Sequence, residues 1–128
     1  MGNARYEVTY PLTIKPYVFV GKKPVAVLFG EERVEVKTWK QVYSVILKRC
    51  NDNPAHHEML MYLRNKAAGK VRVFLSGSPD GMTSPLMIDD GLYGETHYGS
   101  GTLLHILVNR ILAPAQFDCS NIYIVIKV

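Results

Sequence analysis

Cysteine is scarce in this sequence, and no long apolar run is present. The chain contains two cysteines, Cys50 and Cys119, and neither belongs to a C-x-x-C pair or has a histidine at zinc-ligand spacing. This pattern argues against a disulfide framework and a zinc site, so we expect buried thiols. No segment approaches the roughly 20 apolar residues that cross a bilayer, and the first residues lack the apolar core of a secretory signal. We therefore expect a soluble, cytoplasmic protein.

Acidic residues are few in the first part of the chain. Residues 1–72 contain 13 Lys and Arg against 6 Asp and Glu, whereas residues 73–128 contain 2 against 5, and the formal net charge is +4. A chain polarised in this way can turn a basic face toward phosphate groups or toward an acidic protein. An ordinary solvated surface explains the same distribution equally well.

The chain does contain enough apolar material for one compact core. With 128 residues, 48% hydrophobic and 20% charged, the composition excludes disorder and collagen and leaves room for a single domain. We divide it into an N-terminal strand region at 1–24 and an α+β core at 25–128. Apolar alternation predicts strands at 6–20, 70–76, 92–98 and 122–128, the last of them central, and a hairpin over 25–37. Pro11 and Pro16 favour a sheet edge or a bent arm for the first of these strands.

The most clearly marked helix begins after Thr38. Its apolar residues fall at helical spacing and form one stripe, which consists of Trp39, Val42, Tyr43, Ile46, Leu47 and Cys50. We predict that this stripe is core. The opposite side of the helix carries Lys40 and Lys48, which are either solvated or directed at phosphate.

Two further helices are predicted. One follows Asn53-Pro54 and ends at Gly69, and the other follows Ser100 and ends before Pro114. The order of elements shows no regular βα alternation. It predicts an α+β fold, with a mostly antiparallel sheet and about three helices packed on one face.

Four side chains share one side of the predicted strand at 70–76, namely Lys70, Arg72, Phe74 and Ser76. Two cations and a ring at this spacing suit nucleic acid, because lysine and arginine contact phosphate and the ring can stack on a base. The alternative is a covered face, on which Phe74 belongs to the core and the basic heads extend into solvent.

Ser100 lies between two glycines at the start of the third predicted helix. Backbone N–H groups at a helix start can bind an anion, so a phosphate site is one interpretation. The other is simply that Ser100 caps the helix.

Candidate catalytic and metal-binding residues all have simpler explanations. Asp80 and Glu95 resemble the paired carboxylates of metal-dependent nucleases, but the expected lysine is missing and residues 78–81 (Ser-Pro-Asp-Gly) are typical of a turn. His56 and His57 are helical neighbours that point about 100° apart and cannot chelate one ion together. We predict no enzyme, no metal and no cofactor.

Three segments together are similar to a known family. They are Val36-Lys37-Thr38-Trp39-Lys40-Gln41-Val42, Val71-Arg72-Val73-Phe74-Leu75-Ser76 followed by Ser84-Pro85, and Gly91-Leu92-Tyr93-Gly94-Glu95-Thr96 followed by Ser100. Spanning roughly residues 25–113, they resemble a small uncharacterised module appended to restriction-type nucleases and helicases of prokaryotic defence and mobile elements. The resemblance implies a recognition part, not a catalytic engine, in a DNA-centred conflict between phage and host.

We therefore predict a non-enzymatic binding module that acts on nucleic acid, with DNA favoured over RNA, or on a nucleic-acid-handling protein. The residues expected to touch the ligand are Lys70, Arg72, Phe74, Tyr93, Ser100, Lys40 and Lys48. The alternative is a stand-alone phage-encoded inhibitor, of the anti-CRISPR kind, that binds a nuclease effector protein.

Overall fold

The computed structural model describes residues 6–64 and 73–127 of the chain. This part contains seven strands, which are β1 (Glu7–Pro11), β2 (Lys23–Phe29), β3 (Glu32–Glu35), β4 (Leu75–Ser76), β5 (Pro85–Asp89), β6 (Leu92–Glu95) and β7 (Ile122–Lys127). They form two antiparallel sheets, a larger one in the order β1-β7-β2-β3 and a smaller one in the order β4-β6-β5.

The helices of the described residues are α1 (Trp39–Asn51), α2 (Pro54–Leu63) and α3 (Ser100–His105), together with a 3₁₀ turn at Pro16–Phe19. Helix α3 continues as a π-helix over Ile106–Leu112. At its end the Ala113 N–H bonds to the Val108 carbonyl, five residues back, at 3.0 Å. The third predicted helix is therefore present and stops before Pro114, but its second half is more loosely wound than an α-helix.

The larger sheet is built around β7, as its run of β-branched residues predicts. Strand β7 lies between β1 and β2, and Ile124 and Ile126 are fully buried. The predicted hairpin is also confirmed as β2 and β3, which are joined at Gly30 with φ of 62°. A positive φ at this position suits glycine, because it has no Cβ to clash with the backbone.

Helix α1 is the element around which the two sheets assemble. Five residues of its predicted stripe are completely buried, whereas Trp39 is half-buried. The helix contacts β2 of the larger sheet and β5 of the smaller one. The α+β prediction is therefore confirmed, with two antiparallel sheets in place of the single sheet that we expected.

The N-terminal segment forms a strand at the edge of the larger sheet and then bends, as its prolines predict, so only the first part of 6–20 is strand. Strand β1 ends at Pro11, and the chain then forms the 3₁₀ turn that begins at Pro16, whose ring fixes φ. This turn buries Phe19, whose ring centroid lies 5.3 Å from that of Trp39. The segment is thereby joined to the start of α1.

Candidate nucleic-acid interface

The start of α1 is held by reciprocal hydrogen bonds. Gln41 N–H donates to Thr38 Oγ1 at 3.1 Å, and Lys37 N–H donates to the Gln41 side-chain oxygen at 2.6 Å. This is a variant of the capping box, which satisfies free N–H groups at a helix start. Trp39 Nε1–H donates to the Lys22 carbonyl at 2.9 Å. The start of β2 is therefore fixed beside the start of α1.

A concavity of about 660 Å³ lies next to this contact, at the end of the larger sheet where β1 and β2 begin. Its polar lining residues are Lys23, Lys37, Lys127, Gln41, Glu7 and Glu35. We call it the lysine concavity. In the sheet register Lys127 lies opposite Glu7 on one side and opposite Lys23 on the other. Three strands therefore present a charged residue at the same level.

The acidic side chains of the lysine concavity have ion-pair partners, whereas the lysines of the described residues have none. Within residues 6–64 and 73–127, no ion pair within 4.0 Å involves Lys23, Lys37 or Lys127. Both carboxylates, in contrast, are engaged by Arg33: Nε lies 2.5 Å from Glu35, and an NH2 nitrogen lies 3.4 Å from Glu7. The hydrogen bond to Glu35 raises the pKa of Arg33, which keeps its positive charge. The three lysines are left available to an external anion.

Arg33 makes these contacts across the outer face of the larger sheet. It stands on the edge strand β3, and Glu7 stands on the opposite edge strand β1. On the same face, the central strands carry the small residues Ala26 and Val125, which are 0% and 2% exposed. The ion pair between Arg33 and Glu7 thus joins the two edge strands on the face that carries these two buried residues.

Lys40 connects α1 to the loop before β5. Its Nζ donates to Ser84 Oγ at 3.2 Å, and Thr96 Oγ1 donates to the Ser84 carbonyl at 2.8 Å. Lys40 lies in the first turn of α1, three residues after Lys37, and places a positive charge at the loop of the smaller sheet.

The buried carboxylate of Glu95 holds the backbone of the same loop by hydrogen bonds. Its carboxylate is only 3% exposed and accepts backbone N–H groups of Thr83, Ser84 and His97 at 2.7, 2.8 and 3.1 Å. Burial alone would raise the pKa of Glu95, but these donors outweigh it and hold the pKa below its usual value. Its oxygens are committed to the backbone, so Glu95 is explained as a structural anchor.

The strand face that we predicted as the binding surface is only partly described. Lys70 and Arg72 lie outside the described residues. Phe74 is 7% exposed, its centroid is 6.3 Å from that of Tyr98, and the Arg110 guanidinium lies 5.2 Å from its ring centroid. The covered-face alternative therefore describes Phe74, whose ring has almost no surface left for a base.

Tyr93 and Lys48 lie away from the lysine concavity. Tyr93 is half-buried on β6, where it pairs with Met87 of β5. Its neighbour Gly94 faces α1, so Tyr93 lies on the other side of the smaller sheet. Lys48 is exposed in the last turn of α1, at the end opposite to Lys37. The five predicted positions that belong to the described residues do not form one surface.

The expectation that Ser100 caps α3 is wrong. The N-cap is Gly99, whose extended backbone fits that position, and Ser100 is the first helical residue. Its hydroxyl instead donates to the Phe19 carbonyl at 3.4 Å, which ties α3 to the 3₁₀ turn. Ser100 also lines a groove of about 540 Å³ with Tyr17 and His105.

The turn at Asp80 and the buried thiol of Cys50 are confirmed by the structure. Met82 N–H donates to the Pro79 carbonyl at 3.1 Å and Gly81 has φ of 82°, as expected of a turn. In the described part of the chain, no three His, Cys, Asp or Glu side chains gather in a way that could hold a metal ion. Cys50 is a buried free thiol, as expected, and Cys119 is half-buried and free. Burial raises the pKa of Cys50 to about 12.

Sequence reasoning missed Lys23, Lys37 and Lys127. The one signal was the excess of basic residues in the first 72 positions, which does not say which of them meet. Lys127 comes from the acidic half and joins the others only because β7 is inserted between β1 and β2.

Comparison with known proteins finds no counterpart: no family model, no curated protein and no solved structure matches this chain. None of the described helices combines the length and the apolar character that a membrane crossing requires.

Proposed function

We propose that this chain is a non-enzymatic binding module that attaches to nucleic acid, DNA in preference to RNA, through the phosphate backbone at the lysine concavity. The observation that carries the proposal is the set of three lysines without ion-pair partners among the described residues, beside two carboxylates that Arg33 already holds. The proposed setting, a conflict between phage and host, rests on the resemblance of the sequence motifs alone.

The chemistry of the concavity favours phosphate over bases. Lysine is a compact point charge on a flexible stem and binds phosphate oxygens without reading a sequence. The described residues that line the concavity include no aromatic ring and no arginine. Stacking on bases therefore has no residue to carry it there, and without the arginine fork we expect contact chiefly with the backbone of a duplex.

Charges around the lysine concavity add to its positive electrostatic potential. Lys22 and Lys40 lie next to the concavity, and Lys22 is exposed. The first turn of α1 contains no acidic residue, and the positive end of its dipole points to the same region. Cations that gather in this way raise the local concentration of a polyanion and steer its approach.

A salt series tests the proposal. A labelled mixed-sequence duplex, the matching single strand and an RNA duplex are titrated by fluorescence anisotropy between about 50 and 200 mM salt. We compare the wild type with the triple variant K23Q/K37Q/K127Q, and with K48Q as a control from the far end of α1. The triple variant should lower the slope of log affinity against log salt by about three, and K48Q by less than about one.

Three results would contradict the proposal. The first is no binding of any probe, and the second is binding that is independent of salt. The third is equal slopes for the wild type and the triple variant. Absent or salt-independent binding in a well-folded protein would favour the alternative, in which the chain inhibits a nuclease effector by binding the protein itself.

A further inference from the structure

We infer that Arg33 is a positioning residue of the lysine concavity: it holds the carboxylates of Glu7 and Glu35 in its own ion pairs, so that they do not pair with the lysines and the site stays open to an anion. The inference rests on the proposed function, because the anion is taken to be the phosphate backbone. Arg33 is not among the residues that line the concavity, so we assign it no contact with the ligand.

The sheet register shows what the two carboxylates would do without Arg33. Glu7 lies directly opposite Lys127, and opposite charges at such positions attract each other. Glu35 lies two residues before Lys37, on the same rim of the concavity. Each glutamate therefore has a lysine within reach, and pairing would turn a cationic site into a neutral one.

Arginine suits this task for geometric reasons. Its planar guanidinium carries donors in several directions, so one side chain contacts Glu35 through Nε and Glu7 through an NH2 nitrogen. A lysine at this position has a single ammonium group and cannot offer the same rigid fork. Because all three partners are exposed, their ion pairs contribute little to stability, and their effect falls on the charge of the site.

The matched control is Arg49, which forms a comparable exposed pair with Glu32 at 2.6 Å. Neither Arg49 nor Glu32 lines the lysine concavity. Substitution of either arginine by glutamine removes one positive charge, so the effect of net charge on DNA binding is equal in R33Q and R49Q. Each variant also frees the carboxylates that its arginine holds. Only R33Q releases carboxylates beside the three lysines.

The experiment measures duplex DNA affinity at one low salt concentration for the wild type, R33Q, R49Q, E7Q/E35Q and R33Q/E7Q/E35Q. We expect R33Q to weaken binding about three- to tenfold more than R49Q. E7Q/E35Q should bind at least as tightly as the wild type. In the E7Q/E35Q background, R33Q should cost no more than R49Q costs in the wild type.

The outcomes separate the two proposals. If the wild type binds no duplex, the proposed function fails. If the wild type binds but R33Q and R49Q weaken binding equally, the positioning role of Arg33 is wrong although the site stands. If R33Q remains as damaging in the E7Q/E35Q background, Arg33 contacts phosphate directly, which also overturns the inference. Thermal melting of each variant shows that it is folded. If R33Q is not folded, R33K, which keeps the charge but cannot contact both carboxylates as a rigid fork, takes its place in the same comparisons.

Discussion

The packing of Gly94 against Tyr43 gives the sharpest test of the described core. Gly94 lies in β6 and faces α1, where a Cβ would overlap the Tyr43 hydroxyl oxygen and lie 3.0 Å from the Cζ atom of the same ring. Tyr43 is 0% exposed, so the ring is enclosed by the core and cannot turn out into solvent in place. Gly94→Ala therefore adds a methyl group to a filled site, and such overpacking costs about 1–3 kcal/mol.

Tyr43→Phe provides the matched rescue. The Tyr43 hydroxyl is buried without a hydrogen-bond partner in the described structure, so its removal should leave the free energy of unfolding unchanged or raise it slightly. In the Tyr43→Phe background the worst overlap is gone, and Gly94→Ala should cost at least about 1 kcal/mol less than in the wild type. Urea unfolding of the wild type, the two single variants and the double variant gives the cost of Gly94→Ala in the wild type and in the Tyr43→Phe background. A cost of Gly94→Ala below about 0.5 kcal/mol, or the same cost in both backgrounds, would refute the packing argument.

Three further outcomes are expected. Leu47→Ala should cost about 2–5 kcal/mol in denaturant melts, since Leu47 is fully buried in α1; a loss below about 0.5 kcal/mol would instead mark the stripe as a binding surface. Glu95 has a lowered pKa, so its stabilising contribution is present above the usual glutamate pKa and is lost as the pH falls through the folded value. Glu95→Gln should therefore destabilise the protein at neutral pH and flatten the fall in stability between about pH 5 and 3; parallel profiles would contradict this. Mg²⁺, Mn²⁺ and Zn²⁺ should leave the melting temperature unchanged relative to Ca²⁺ and salt controls, and a rise of several degrees would overturn the prediction that the protein binds no metal.

Local patterns predicted the elements that depend on neighbours in sequence. The stripe of α1, the hairpin of β2 and β3 and the central position of β7 all follow from apolar periodicity within short windows. The division of the strands into two sheets does not follow from such patterns, because it depends on the packing of α1 against β2 of one sheet and β5 of the other. The expectation of a single sheet was therefore wrong.

The candidate site was less predictable for a related reason. The lysine concavity depends on the pairing of Glu7 with Lys127, residues at opposite ends of the described chain, and no local pattern specifies such a register. Phe74 was predicted to touch the ligand but is buried. Alternation along a strand places a ring on one face without saying whether that face is exposed or packed in the core. Arg72 lies outside the described residues, and its contact with phosphate remains a prediction.

The most direct test of the proposed interface is a backbone-amide NMR titration of the labelled protein with duplex DNA at low salt. Binding at the lysine concavity predicts that the largest shift changes fall at Lys23, Lys37, Gln41 and Lys127, with little change in the last turn of α1. The changes should reverse when salt is added, because phosphate contacts are screened. Shift changes centred on residues 70–76 or on the Tyr93 face of β6, or no changes at all, would contradict the proposal that DNA binds at this concavity.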